Sequence, residues 1–376
     1  MQRKPPCGLD RAAFMSRYWQ REPLLVRGAF PGFVDPLTRR EIFTLAAADT
    51  AISRLVRRTR GHWSLEHGPI SAARLKQLPR REWTVLVQDT NHFSASAERL
   101  LASFDFIPHA RIDDVMVSLA ADGGGVGPHV DSYDVFLVQG RGQRRWRISR
   151  QRDHAFVPGL DLKILRHFVP TQEWVLGPGD MLYLPPGVAH EGVALGECMT
   201  WSVGMRAPDP SQIAEGFLDF LRDRVAAHGR YRDLGNAPAT HPGAVPPGLV
   251  EHVEHAVAAI RWSRAEVREF AGRIVSEPKA HVFFEPPARP LARRAFEARA
   301  RREGLRLDAR SRLLFSGTMF FLNGERVEAP PAARGALRRL ADARGLAPGE
   351  DAPRELWDLA HAWYCKGFIR TGRLKT

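Results

Sequence analysis

Three residues in this chain have the types and spacing to hold a metal: His129, Asp131 and His190. His129 and Asp131 sit two apart in Gly127-Pro-His-Val-Asp131. In an extended strand, residues i and i+2 point to the same face. An imidazole nitrogen and a carboxylate oxygen aimed at one point suit a first-row divalent ion. The third ligand comes from Pro185-Pro-Gly-Val-Ala-His190, where a rigid turn delivers a histidine to the end of the next strand. Two histidines and one carboxylate on one face of an octahedron leave three positions open. That is the donor set of non-haem Fe(II) chemistry, with room for a bidentate cosubstrate and dioxygen. The competing reading is a pair of strand-end histidines satisfied by backbone carbonyls, which leaves both flanking turn motifs unexplained.

A 2-oxoacid dicarboxylate bound at such an ion needs its far carboxylate neutralised, and an arginine fork does this best. In Gln143-Arg-Arg-Trp-Arg147, Arg144 and Trp146 share one strand face, and Arg145 and Arg147 share the other. Trp146 is the residue to face a barrel interior, so Arg144 is expected to point inward. An inward arginine without an anion costs about 3–5 kcal/mol. Pairing with an internal acid such as Asp134 is the alternative. Ser118 and Ser202 lie on strands that reach the same pocket. Either is a candidate to hydrogen-bond the cosubstrate, or to be satisfied by backbone.

Asp122 heads Asp122-Gly-Gly-Gly-Val-Gly127. The run lacks the Lys-Ser/Thr of a phosphate loop, and no helix follows it. Its glycines permit close approach of a substrate backbone to the metal. Asp122, if it faces that opening, pairs with a cationic substrate side chain; otherwise it caps a turn. His252 and His255, three apart on an expected helix, lack a third ligand and read as surface residues. Cys198 reads as a small core residue, since no partner is placed to activate it.

The elements that must position these groups change character along the chain. Residues 10–20, 38–48 and 92–105 are expected to be helical, around strands at 23–28, 51–57 and 83–88. From 111 to 206 short alternating apolar runs recur between Gly and Pro turns: 114–119, 133–139, 144–148, 173–176, 181–184, 193–195 and 199–205. Many short strands at regular spacing make a sandwich or barrel. After 206 the strands stop. A helical stripe runs through Ile213, Phe217, Phe220, Leu221 and Val225 in 211–226. A Pro/Gly-rich linker follows at 235–248, then helices at 249–260 and 263–275. The last unit, from 281, carries a hairpin turning at Asn323-Gly324 and helices at 331–344 and 353–363. Helices with a small hairpin in that length read as a winged helix.

The 376 residues exceed one ordinary core. A formal charge of +13, mostly from arginine, points to an anionic partner or to a solvated arginine-rich surface. The three cysteines, Cys7, Cys198 and Cys365, form no CxxC motif, which argues against a disulfide framework and a cysteine zinc site. No signal-like or membrane-spanning apolar run is visible. A cytoplasmic protein is expected.

The chain resembles the bacterial ribosomal oxygenases of the Jumonji-C class. The stretches that carry the resemblance are Tyr18-Trp19 with Pro23-Leu-Leu-Val-Arg-Gly28, Gly123 to Phe136 around His129-Val-Asp131, and Gln139-Gly-Arg-Gly142 with Arg144-Arg-Trp146. Gly179 to Gly192, ending in His190-Glu-Gly192, and Ser202-Val-Gly-Met-Arg-Ala-Pro208 complete them. The resemblance implies an α+β fold. A double-stranded β-helix (a cupin-like jelly-roll) would span 1–207, a helical dimerisation segment 208–280, and a C-terminal winged helix 281–376. It implies His129, Asp131 and His190 as Fe(II) ligands, Arg144 as the grip on 2-oxoglutarate, and Ser118 near that cosubstrate. The reaction it implies is O2-dependent hydroxylation of an arginine β-carbon in a large-subunit ribosomal protein, by a homodimer. The arginine at the grip position favours the bacterial branch, because the eukaryotic relatives use lysine there. Two rivals are a Jumonji-type N-methyl demethylase, which would release formaldehyde, and a non-enzymatic cupin and winged-helix regulator that binds DNA. The role of the winged helix toward nucleic acid is left open.

Overall fold

The computed structural model describes Pro6 and residues 8–222, 224, 230–232, 234–235 and 237–372. Cys7 and the end of the helix expected over 211–226 lie outside the described residues. Two compact units adjoin in sequence at Ala207–Pro208.

The first unit is a double-stranded β-helix built from two antiparallel sheets. The larger has eight strands in the order Leu24–Val26, Met181–Leu184, Val135–Gln139, Cys198–Met205, Ile112–Ala120, Trp83–Val87, Ser53–Thr59 and His62–His67. The smaller has four: His129–Val130, Ala189–Leu195, Gln143–Ser149 and Gln172–Leu176. Strand Val135–Gln139 is buried at every position. Its even residues, Phe136 and Val138, join a core with Phe14, Phe104, Tyr183 and Trp201. Its odd residues, Val135 and Leu137, join Trp146, Ile148 and Leu182. A strand covered on both faces reads as a continuous apolar run, and that is how it appears in the sequence.

Sequence and structure part at several edges. The expected strand 51–57 pairs with a second strand, His62–His67, through a turn in which Arg60 (φ 51°) and Gly61 (φ 84°) are both left-handed. That two-residue geometry favours hairpins, but the polar sequence of the second strand hid it. The helix expected over 38–48 runs Arg39–Ala46 and starts at a capping box between Thr38 and Glu41. The segment 92–105 divides into a short turn at Thr90–His92 and a helix Ala95–Ala102.

The second unit contains helices Pro210–Arg222, Pro247–Ala258 and Arg264–Ser276, then Arg293–Glu303, Arg334–Ala343 and Arg354–Cys365. The expected hairpin turn is present: Leu322 pairs with Glu325, and Asn323 (φ 52°) and Gly324 (φ 85°) take the left-handed conformations of a tight turn. Helix Arg264–Ser276 packs on the three-stranded sheet Leu313–Ser316, Met319–Leu322 and Glu325–Val327. Gly272 makes that packing close, because a Cβ there would stand 2.1 Å from the Phe321 ring. Glu269 on the same helix pairs with Arg326 of the sheet at 2.8 Å. The helix is therefore part of the same packed body as the hairpin.

Candidate metal centre and cavity

His129 and His190 face each other across adjacent strands in direct register. Their ring centroids are 4.2 Å apart. Asp131 follows His129 by two residues, and its Oδ2 lies 3.6 Å from His190 Nε2. One ligand atom from each of the three residues falls within 4.8 Å of the other two. Both imidazoles are oriented from behind. His129 Nδ1 lies 3.0 Å from the Gly127 carbonyl, and His190 Nδ1 lies 2.9 Å from the Val188 carbonyl. A neutral imidazole that donates from Nδ1 presents the Nε2 lone pair to a metal. Burial, helped by the adjacent His129, pushes the His190 imidazole down to about 4, so it is neutral near pH 7. The carbonyl hydrogen bonds of the competing reading are present, and they act as supports that aim the free nitrogens. Two histidines and a carboxylate grouped in this way fit a divalent first-row ion.

The cluster opens into a cavity of about 490 Å³. Arg144 stands in its wall and is only 4% exposed. Its Nε and Nη2 are buried without a hydrogen-bond partner among the described residues, and the guanidinium carbon lies 5.7 Å from the Trp146 ring centre. Asp134 does not pair with it. That carboxylate is fully buried elsewhere, accepting from Tyr183 Oη at 2.6 Å, Gln20 Nε2 at 3.1 Å and Arg111 Nη2 at 3.2 Å. A buried guanidinium with orphaned donors is costly unless an anion meets it. The cavity therefore fits a carboxylate at this end and a metal at the histidines. Arg147, on the opposite strand face, pairs with Glu191 instead.

Ser118 and Ser202 are buried and line the cavity. Ser118 Oγ donates to the Thr200 carbonyl only at 3.5 Å, a bond weak enough for its proton to turn to a carboxylate in the cavity. Asp122 departs from the expectation. It is not among the lining residues: one carboxylate oxygen accepts from the Gly196 amide at 2.9 Å and the other pairs with Arg81 at 2.9 Å. In this structure it holds a turn, the alternative the sequence also offered, through two groups distant in sequence. Cys198 is fully buried beside Ala120 and Ala194, and His252 and His255 are exposed.

Sequence reasoning passed over Asp113, Asp114, Arg54, Thr200 and Tyr133, all of which line the cavity. Asp114 shares the face of Met116 and Ser118 by the two-residue period. That period was the signal that could have found it. Asp113 pairs with Arg206 at 3.2 Å, and Asp114 accepts from the Asp89 amide at 3.0 Å.

A JmjC domain family matches residues 99–213, and a ROXA-like winged helix family matches 259–369. The chain is 34% identical over 332 residues to the ribosomal protein uL16 3-hydroxylase of Escherichia coli, covering 87% of each. It is 38% identical to a probable ribosomal oxygenase of Haemophilus influenzae over 54% of this chain and 51% of that protein. Among solved structures, that of YcfD, a ribosomal oxygenase from Escherichia coli in complex with cobalt and 2-oxoglutarate, superposes with a TM-score of 0.81 at 31% identity. The match covers 96% of this chain and 98% of that one. The chain belongs to the JmjC-domain ribosomal oxygenases with a ROXA-like winged helix.

Proposed function

We propose that this chain is an Fe(II)- and 2-oxoglutarate-dependent oxygenase that hydroxylates the β-carbon of an arginine in the large-subunit ribosomal protein uL16. The observation that carries the oxygenase reading is Arg144: a buried guanidinium with unpartnered donors, in one cavity with the His129, Asp131 and His190 cluster; the uL16 substrate is taken from the similarity to the Escherichia coli uL16 3-hydroxylase. His129, Asp131 and His190 hold the ion, and Arg144 holds the far carboxylate of 2-oxoglutarate, with the Ser118 and Ser202 hydroxyls beside it; Thr200 gives its proton to Gln139 Oε1 at 3.0 Å. When bound, Fe(II) with 2-oxoglutarate and O2 supplies the oxidising power that inserts one oxygen into a C–H bond, leaving succinate and CO2. The chain's own part is placement. Leu137 and Trp146 wall the cavity with apolar surface, and the fixed arginine sets the cosubstrate's orientation. Asp114 lines the same space, with one carboxylate oxygen taken by the Asp89 amide, and its negative charge suits the guanidinium of a substrate arginine.

A homodimer is part of this reading. Helix Pro247–Ala258 buries none of its residues, and Val250, Val253 and Val257 form an exposed stripe along it. A short helix gains its stability from packing an apolar face, and a second copy of the chain would cover this one. No helix among the described residues is long and apolar enough to cross a membrane. A ribosomal substrate places the protein's action in the cytoplasm.

The test uses large ribosomal subunits from cells lacking this chain. They are incubated with the protein, Fe(II), 2-oxoglutarate and oxygen, and the ribosomal proteins are weighed intact. The expected result is a gain of one oxygen atom on uL16, absent with a His129→Ala/Asp131→Ala variant and located on arginine by fragmentation. Mass loss with formaldehyde would indicate demethylation instead. No mass change on any ribosomal protein would overturn the substrate.

A further inference from the structure

We infer that Arg54 binds the main chain of the protein substrate and so helps to hold it in the cavity; this rests on the hydroxylase reading above. Arg54 stands on the inner face of strand Ser53–Thr59, where it pairs in register with His67 on one side and with Leu86 on the other. Leu86 in turn pairs with Ser118. Arg54 is therefore two strand spacings, about 10 Å, from the serine beside the cosubstrate. It lines the same cavity, but at the end formed by the N-terminal strands.

Its hydrogen bonding is incomplete. Arg54 Nε is buried with no partner, and Nη2 meets only the Met116 sulfur at 3.6 Å. Sulfur is a weak acceptor, so the guanidinium keeps most of its donor capacity. A half-buried arginine held this way fits an oxygen that arrives with the ligand. The cosubstrate does not need it, because Arg144 already offers its donors beside Trp146. An acidic side chain on the substrate is disfavoured, since Asp113 and Asp114 line the same cavity. A neutral oxygen suits it better, and the main-chain carbonyl is the neutral acceptor that every residue of a peptide substrate offers. His67, on the neighbouring strand His62–His67, and Gln88, just past the end of strand Trp83–Val87, also line the cavity and extend its polar wall. A peptide in extended conformation presents carbonyl and amide groups to such a wall.

The experiment compares the full chain, Arg54→Met and Arg54→Lys, loaded with Fe(II), on a uL16 fragment containing the hydroxylated residue. KM is measured separately for the fragment and for 2-oxoglutarate. The expected result is a rise in fragment KM of about 10- to 100-fold for Arg54→Met. Arg54→Lys should recover part of it, with the KM for 2-oxoglutarate held. Thermal melting checks that the variants fold. An unchanged fragment KM in a folded variant would overturn the inference, and so would a shift in the KM for 2-oxoglutarate instead. Replacing the acidic residues of the fragment by alanine separates main chain from side chain. If that alone raises wild-type KM as much as Arg54→Met does, the main-chain assignment fails. Failure of the wild-type chain to oxidise the fragment would count against the hydroxylase reading instead.

Discussion

The Arg144 guanidinium carbon lies 5.7 Å from the centre of the Trp146 ring, on the inner face of one strand. That distance is within cation–π range, and its Nε and Nη2 stay unpaired in the cavity wall. Arg144→Met should therefore have two opposite effects. Affinity for 2-oxoglutarate, measured calorimetrically with Mn(II) in place of iron, should fall about 100-fold as a bidentate charge-assisted contact is lost. The ligand-free protein should melt at the same or a higher temperature, because an uncompensated buried charge has been removed. A lower melting temperature with unchanged 2-oxoglutarate affinity would show that Arg144 is a structural residue.

Asp131 is the anionic member of the cluster, 3.6 Å from His190 Nε2. Asp131→Ala removes a charge and a ligand atom together. Metal affinity, read by titration with Mn(II), should drop by more than the roughly 10- to 100-fold typical of losing only a supporting residue. Hydroxylation should be abolished. Retained Mn(II) affinity in the variant would remove Asp131 from the ligand set.

Gly127 supports His129 without contributing a ligand. It sits at φ 77°, its carbonyl lies 3.0 Å from His129 Nδ1, and an added Cβ would stand 2.9 Å from Ile164 Cδ1. Gly127→Ala should cost about 1–3 kcal/mol of stability through backbone strain. It should also weaken Mn(II) binding by displacing the carbonyl that aims His129. Loss of stability with unchanged metal affinity would separate this glycine from the centre.

That His129, Asp131 and His190 meet was legible because two of them are local in sequence and a Pro-Pro-Gly turn delivers the third. The inward side of Arg144 followed from strand alternation alone, with Trp146 as the marker of the interior. Which of its two expected roles Asp122 takes was not legible, for the converse reason. Its partners, Arg81 and Gly196, lie far away in sequence, and nothing local announces them. The Arg54 wall was hidden by register. Strand His62–His67 alternates weakly, and only its pairing with Ser53–Thr59 sets His67 beside Arg54 at the cavity. The barrel character of 111–206 was legible, whereas the N-terminal strands that widen its larger sheet were only partly so.

The stripe Val250, Val253 and Val257 is 45%, 52% and 62% exposed on a helix with no buried residue. Trp262, just beyond it, is 56% exposed. Clustered apolar exposure of this kind marks an interface, and the dimer proposed above would bury it. A Val253→Glu/Val257→Glu variant places two carboxylates in the centre of that stripe, where desolvation without partners is costly. Sedimentation should show the wild-type chain as a dimer at micromolar concentration and the variant as a monomer. The Mn(II) affinity of the variant should be retained, because none of the three ligands lies on these helices. A wild-type monomer, or a variant that still dimerises, would assign the stripe to something other than a second copy of the chain.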